Sequence, residues 1–238
     1  MSGKVFYPVH HPDYRYPVSK NSYWGKLQGL SHRAYCDHQT EEYRGRCREL
    51  FPHSAEGKLT VEVGCNAGHV IVESAFQAPE ANFIGIDWKF KPIFRGVEKA
   101  SKKGLQNLVF FRAHAERLPF IFGPGEIDRL NLYFPDPWPK KSQMKNRFFT
   151  SDRLQSIAPL MKSGGLFHIK TDHRGYFEWM MAAIQENLNL WEILSVNEDL
   201  HRNHPAPHLL SFPEVTLFEK LFIQDQIPIH EIRLQVRR

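Results

Sequence analysis

Short apolar runs alternate with amphipathic segments along most of this chain. The runs have strand length and end at turn-forming residues, which predicts β-strands at Leu59–Val63, Asn82–Ile86, Leu108–Arg112, Ile127–Phe134, Leu166–Lys170, Trp191–Val196 and Thr216–Ile223. The segments between them predict helices at His69–Gln77, Lys89–Lys103, Asp152–Met161 and Tyr176–Leu188. Strands and helices that alternate at this spacing predict an α/β fold with an open, mostly parallel, doubly wound sheet.

The first part of the chain lacks this alternation. Residues 1 to about 22 mix three prolines with aromatic and basic side chains, which predicts an arm without regular structure. Such arms are usually disordered, although interleaved aromatic and basic residues also suit single-stranded nucleic acid. Residues 31–50 are polar and helical in character, and Pro52 ends them. We therefore predict an N-terminal arm and helical extension over residues 1–56, and a catalytic domain over residues 57–238.

Composition narrows the class of protein. Thirty-one Lys and Arg residues against 26 Asp and Glu give a formal net charge of +5, which favours a polyanionic partner. Three cysteines without a CxxC pair predict neither a disulfide framework nor a zinc site, as expected in a reducing cytoplasm. No signal peptide or membrane-spanning stretch is evident, so we expect a soluble protein.

Candidate ligand-binding residues stand where the first three long strands end. The turn after the first runs from Glu62 to Gly68 and matches neither a dinucleotide fingerprint nor a phosphate loop. Its small residues admit a ligand close to the backbone, and Glu62 suits an ammonium or sulfonium cation. Asp87, 19 residues after Gly68, suits the two ribose hydroxyls of an adenosine group, and His114 follows the third strand beside the expected adenine. NAD and S-adenosylmethionine both satisfy these features.

The fourth strand runs into a proline-rich loop, Phe134-Pro-Asp-Pro-Trp-Pro-Lys-Lys141. Its prolines restrict the backbone, so the Asp136 carboxylate and the Trp138 indole are held before a substrate arrives. With Glu62, Gly64 and Gly68, Gly-Ile-Asp87, Lys-Thr-Asp172 and Thr216 to Glu219, this loop resembles the TrmB-type tRNA (guanine-N7-)-methyltransferases in order and spacing. The resemblance covers roughly residues 57 to 223, and the loop is its most specific element.

The resemblance implies a Rossmann-like class I S-adenosylmethionine-dependent methyltransferase that modifies guanine N7 in the variable loop of tRNA. It places Glu62, Gly64, Gly68, Asp87, His114 and Asp136 at the cofactor, with Asp136 also catalytic. It places Lys140, Asp172, Thr216 and Glu219 at the substrate. Three positions depart from the family pattern: Asn66 replaces a glycine, His114 stands where an acidic or polar residue is usual, and Ser142-Gln143 replaces Arg-His. Phosphate contacts then fall to Lys140, Lys141, Lys145 and Arg147.

The chemistry of guanine supports this interpretation independently. Guanine N7 carries an exposed lone pair, so methyl transfer requires alignment rather than removal of a proton. Asp136 then orients the base or stabilises moving charge, and Trp138 either stacks on the base or packs in the core. Two alternatives stay open: a methyltransferase of an exocyclic amine or small molecule, and an inactive RNA-binding homologue. We interpret His201, His204 and His208 as loop residues without a metal. We expect tRNA as the partner and a monomer or homodimer.

Overall fold

Four parallel strands at the centre of the sheet follow the predicted apolar runs. The computed structural model describes residues 7–30, 33–51, 56–202 and 215–237. Within these residues, eight strands form one sheet in the order β1-β4-β3-β2-β5-β6-β8-β7. The strands are β1 (Ala34–Cys36), β2 (Leu59–Val63), β3 (Asn82–Asp87), β4 (Leu108–Arg112), β5 (Ile127–Tyr133), β6 (Met161–Thr171), β7 (Trp191–Asn197) and β8 (His230–Val236). All neighbours pair in parallel except β8, which is antiparallel to both β6 and β7. This confirms the doubly wound, mostly parallel sheet.

Helices cover the sheet from both sides. They are α1 (Ser22–Gln28), α2 (His69–Gln77), α3 (Phe90–Lys102), α4 (Leu118–Ile121), α5 (Ser151–Ile157), α6 (Arg174–Gln185) and α7 (Leu217–Gln224). One apolar cluster joins α1, α2 and α3 to the sheet around Phe110, and a larger one joins α4, α5 and α6 to it around Phe167. The ring of Phe110 fixes the spacing on the first side, because a Cβ at Gly96 would lie only 2.6 Å from its Cε1. The described helices include none long and apolar enough to cross a membrane.

Two predicted elements are wrong. Residues 216–223 were expected to form a strand but lie in α7, which Thr216 caps: its hydroxyl accepts from the Glu219 amide, and the Glu219 carboxylate accepts from the Thr216 amide. This reciprocal cap begins a helix, and an apolar run alone does not distinguish helix from strand. The last strand is instead β8, which the apolar pattern did not reveal.

The segment before β2 also differs from the prediction. Instead of a helix over residues 31–50, the structure has the edge strand β1, parallel to β4, and two short 3-10 turns at Asp37–Glu41 and Cys47–Leu50. Pairing with β4 supplies backbone hydrogen bonds that the local sequence pattern cannot signal.

The N-terminal arm lies against the protein surface. The Arg117 side chain, 1% exposed, donates from Nη1 to the carbonyl oxygens of Val9 (3.1 Å) and His11 (2.7 Å). The same guanidinium makes a two-pronged ion pair with Glu41. Within the described part of the arm, residues 7–21 form no helix or strand, and a buried charge holds this segment in place.

Candidate active site

The glycine turn between β2 and α2 has a left-handed backbone at alternate residues. Gly64, Asn66 and Gly68 have φ angles of 75°, 50° and 66°. Asparagine is one of the few non-glycine residues that tolerate this region, so Asn66 adopts a backbone that a glycine at this position would also allow. A Cβ at Gly64 would meet no atom within 4 Å, so the space above the turn is open. The turn therefore leaves room for a ligand at the end of β2.

Glu62 lies at the base of this turn with an unsatisfied carboxylate. Its side chain is buried in β2, between Gly85 of β3 and Asn131 of β5, and its Oε2 atom has no hydrogen-bond partner in the structure. Burial raises the pKa of Glu62 to about 8. A buried carboxyl with an open oxygen is costly to ionise unless a cation reaches it. The site thus fits a ligand that carries an ammonium or sulfonium group.

Asp87, at the end of β3, is oriented by two backbone amides. Its Oδ1 accepts from Lys89 N at 2.8 Å and its Oδ2 from Asn66 N at 3.1 Å, and a glycine at position 66 would supply the same backbone donor. Burial raises the pKa of Asp87, and the nearby negative charge of Asp136 adds to the rise. Each carboxylate oxygen keeps a second lone pair. Two hydroxyl groups of a ribose match those acceptors.

His114 follows β4 and has two aromatic side chains as neighbours. Its ring is nearly parallel to that of Trp88, with centroids 6.1 Å apart, and to that of Tyr16, with centroids 5.9 Å apart. Burial lowers the pKa of His114, which favours the neutral imidazole. This position therefore offers flat, uncharged rings rather than the acidic side chain usual in the resembled family.

The proline-rich loop after β5 holds its backbone in sparsely populated conformations. Phe134 and Trp138, on either side of Asp136, have φ angles of 50° and 43°. Non-glycine residues adopt such angles at a cost of about 1–3 kcal/mol, which the surrounding contacts must offset. Phe134 N donates to Lys170 O at 2.8 Å. The Asp136 side chain is exposed at the same edge of the sheet. The strain is thus concentrated around the predicted catalytic carboxylate.

Arg147 packs against this loop from the protein interior. The prediction that it contacts a phosphate is therefore wrong. Its side chain is only 6% exposed, Nε donates to Pro137 O at 2.8 Å, and the guanidinium lies over the rings of Tyr176 and Trp179. Lys140, by contrast, is exposed immediately after the loop. Lys141 and Lys145, also exposed, complete a basic strip with it. Three of the four predicted phosphate contacts therefore face solvent.

Helix α7 and its cap bring two further predicted substrate residues, Thr216 and Glu219, beside the loop. Phe134 packs against Phe218 and Phe222 of α7, with centroids 6.1 and 5.4 Å apart. Glu219 is fully buried: its Oε1 atom lies 2.9 Å from Lys170 Nζ and 2.9 Å from His201 Nε2. Thr216 is buried with it in the helix cap. The sequence pattern gave no sign that Glu219 would be enclosed by protein.

The other predicted positions lie near this assembly or outside the described residues. Asp172 follows directly after the end of β6 and is half-buried. His201 bonds Glu219, whereas His204 and His208 lie outside the described residues. Among the residues that the structure describes, no cluster of His, Cys, Asp and Glu could hold a metal ion. Cys36, Cys47 and Cys65 are buried and unpaired.

Comparison with known sequences places this geometry in context. The chain matches the model of a family described as "Putative methyltransferase" over residues 56–232. It is 31% identical over 206 residues to a tRNA (guanine-N(7)-)-methyltransferase of Bdellovibrio bacteriovorus, covering 86% of this chain and 96% of the relative. A protein of the same name from Geobacillus kaustophilus is 34% identical over 192 residues, covering 81% and 87%. The similarity extends over nearly the whole length of these relatives.

Solved structures resemble the fold at lower identity. One described as an antibiotic-related methyltransferase has a TM-score of 0.54 at 22% identity and covers 80% of this chain and 92% of that chain. The 16S rRNA methyltransferase KamB has a TM-score of 0.56 at 17% identity, covering 81% and 93%. These similarities establish the fold alone.

Proposed function

The chain belongs to the tRNA (guanine-N(7)-)-methyltransferase family, and we propose that it transfers a methyl group from S-adenosylmethionine to N7 of a guanine in the variable loop of tRNA. The observation that carries this proposal is the loop after β5. There, two left-handed residues, Phe134 and Trp138, fix the backbone on both sides of the exposed Asp136 carboxylate.

The reaction requires alignment more than acid or base chemistry. S-adenosylmethionine, when bound, supplies an electrophilic methyl group on a sulfonium. The N7 lone pair of guanine lies in the plane of the base and is already a nucleophile. The protein must therefore hold N7 and the methyl carbon in line and exclude water, which contributes most of the rate acceleration. A rigid loop that presents one carboxylate meets this requirement.

We assign Asp136 to contact with the target guanine. Its oxygens accept hydrogen bonds from guanine N1–H and the exocyclic amine, or stabilise the positive charge that moves onto the purine. Arg147 and Phe134 hold the loop from two sides, through Pro137 O and through α7. The carboxylate is thus positioned before the tRNA binds.

For the cofactor, each acidic residue matches one part of the ligand. Glu62 suits the ammonium group, because its buried Oε2 is without a partner. Asp87 suits the ribose, and the open space at Gly64 allows a ligand to approach the backbone closely. His114 borders the adenine. The carboxylates of Asp87 and Asp136 give the site a negative potential that attracts a cationic cofactor.

For the tRNA, the basic strip Lys140, Lys141 and Lys145 neutralises phosphates beside the target base. Asp172 stands at the rim directly after β6, whereas Thr216 is buried in the cap at the start of α7. Glu219 contributes indirectly, because its bonds to Thr216 and Lys170 tie α7 to the sheet. The positively charged side chains thus face the tRNA backbone, whereas the negatively charged ones face the cofactor and the target guanine.

The test is the pH dependence of methyl transfer in single-turnover experiments at saturating cofactor and tRNA. Asp136→Asn places a donor against guanine's own donors, and we expect a rate loss of about 10²- to 10³-fold with tRNA binding nearly unchanged. The parent rate should stay nearly flat between about pH 6.5 and 8.5. A parent rate that climbs tenfold per pH unit and a climb that vanishes in the variant would identify Asp136 as a general base and an amine as the acceptor.

We place the enzyme in the cytoplasm as a monomer or homodimer. The three buried, unpaired cysteines suit a reducing compartment. Light scattering on the purified chain distinguishes the two assembly states, and a larger oligomer would contradict this assignment.

A further inference from the structure

The N-terminal arm reaches the end of the sheet where the adenosine part of the cofactor is expected. Tyr16 lies 98 positions before His114 in sequence, yet their rings are nearly parallel, with an interplanar angle of 15° and centroids 5.9 Å apart. The ring of Trp88, which follows Asp87 directly in the sequence, is also nearly parallel to that of His114, with an interplanar angle of 12° and centroids 6.1 Å apart. Three flat rings therefore share one orientation beside Asp87.

Contacts with residues that are distant in the sequence hold Tyr16 in place. Its backbone amide donates to His38 Nε2 at 3.4 Å, and the Arg112 guanidinium lies 5.6 Å from its ring centroid. Earlier in the arm, the Arg117 side chain donates to the backbone carbonyl oxygens of Val9 and His11. Arg117 is nearly inaccessible and also paired with Glu41, so detachment of the arm would leave a buried guanidinium with lost partners. The arm is therefore a stable part of this edge of the molecule.

The flat aromatic rings suit a purine base as their ligand. Trp88 is 52% exposed, which is unusual for so large an aromatic side chain at the end of a buried strand. Parallel aromatic planes at about 6 Å leave offset faces on which a flat purine can stack. The Arg112 guanidinium beside Tyr16 is already bonded to Trp88 O and to Asp37. The Lys89 ammonium lies over the Trp88 ring, 5.5 Å from its centroid, which leaves Tyr16 and His114 as the rings for a purine.

We infer that the arm is part of the cofactor site and that Tyr16, together with His114, forms a wall against which the adenine of S-adenosylmethionine stacks. This inference rests on the proposed placement of the ribose at Asp87. It also gives the departure at His114 a physical reason: stacking on neutral rings replaces the hydrogen bond that an acidic side chain would make to the adenine amine. The arm then acts on the cofactor, rather than on single-stranded RNA as the sequence had suggested.

The experiment measures the affinity of the full chain for S-adenosylhomocysteine by isothermal titration calorimetry. Tyr16→Ala should weaken binding by about 5- to 150-fold, the range for loss of one base–aromatic stack. Tyr16→Phe keeps the ring and should stay within about twofold of the parent. Tyr7→Ala is the matched control, because Tyr7 lies on the same arm but stacks on His11.

A parallel measurement on Asp87→Ala separates failure of the arm proposal from failure of the proposed cofactor placement. If Asp87→Ala weakens binding and Tyr16→Ala leaves it within twofold, the arm proposal is wrong and the cofactor placement stands. If neither variant weakens binding, both fail. Equal losses in Tyr16→Ala and Tyr7→Ala would show that arm folding, and not the Tyr16 ring, controls affinity, which also overturns the proposal. Melting curves without ligand verify that each variant is folded.

Discussion

Cofactor binding should release a proton from Glu62. Burial raises the pKa of this carboxyl to about 8, and no residue in the described part of the chain makes a hydrogen bond to its Oε2. At pH 6.5 the free protein therefore carries the proton in more than about nine of ten molecules. An ammonium group that pairs with Glu62 requires the carboxylate, so binding of S-adenosylhomocysteine at this pH should release about 0.9 to 1 proton. Affinity should accordingly rise about tenfold per pH unit between roughly pH 5.5 and 7.5.

Calorimetry measures this release directly. Titrations at pH 6.5 in phosphate and in a high-ionisation-enthalpy buffer give apparent enthalpies whose difference counts the protons released. Glu62→Gln removes the titrating group and should abolish both the release and the pH slope of affinity. A parent protein that releases no proton at pH 6.5, or a Gln variant that still releases one, would refute the assignment of Glu62 to the ammonium.

The same shift has a consequence for stability without ligand. Because the pKa of Glu62 is raised in the folded state, the folded protein holds the proton more tightly than the unfolded chain does. Its contribution to stability is therefore present at low pH and is lost as pH rises from about 4.5 through 8. Urea titrations should show this decline in the parent, after allowance for other groups, and a smaller decline in Glu62→Gln.

Three further substitutions test separate parts of the site. Asp87→Ala should weaken S-adenosylhomocysteine binding by about 1.5–3 kcal/mol through loss of charge-assisted hydrogen bonds, with tRNA affinity unchanged; equal cofactor affinity by calorimetry would remove the ribose from this position. Simultaneous replacement of Lys140, Lys141 and Lys145 by Ala should reduce the slope of log tRNA affinity against log salt by about 2 to 3, and an unchanged slope in filter binding would place the RNA surface elsewhere. Arg147→Met should lower turnover about tenfold or more with cofactor affinity nearly unchanged, since it releases the loop at Pro137; full turnover in rapid-quench assays would exclude a positioning role.

The central strands could be predicted because their apolar pattern is local. β2, β3 and β4 are short buried runs with glycine, asparagine or charged residues at each end, and their predicted bounds agree with the structure to within one residue. α7 was assigned to the wrong class because an apolar run with two phenylalanines suits either element. Thr216 and Glu219 carry the helix signal, a Thr-x-x-Glu cap, which was interpreted only as a substrate motif.

The parts of the site that escaped prediction depend on contacts between distant residues. Arg147 belongs to a basic run and looks like a phosphate contact until Tyr176 and Trp179 of α6 enclose it. Tyr16 lies against His114 on an arm whose Val9 and His11 carbonyls are held by Arg117, a residue that belongs to no sequence motif. Local patterns specify strand ends and backbone turns, whereas burial of a single charge depends on the packing of the whole fold.

The identity of the methylated atom tests the account most directly. A tRNA transcript with a guanine in its variable loop, incubated with the protein and S-adenosylmethionine, should yield about one 7-methylguanosine per molecule on nucleoside mass spectrometry. The same transcript with that guanine replaced by adenine should yield none, and the Asp136→Asn protein should give a severely reduced yield on the first transcript. Methylation of an exocyclic amine, or 7-methylguanosine that persists in the replaced transcript, would contradict the proposed function.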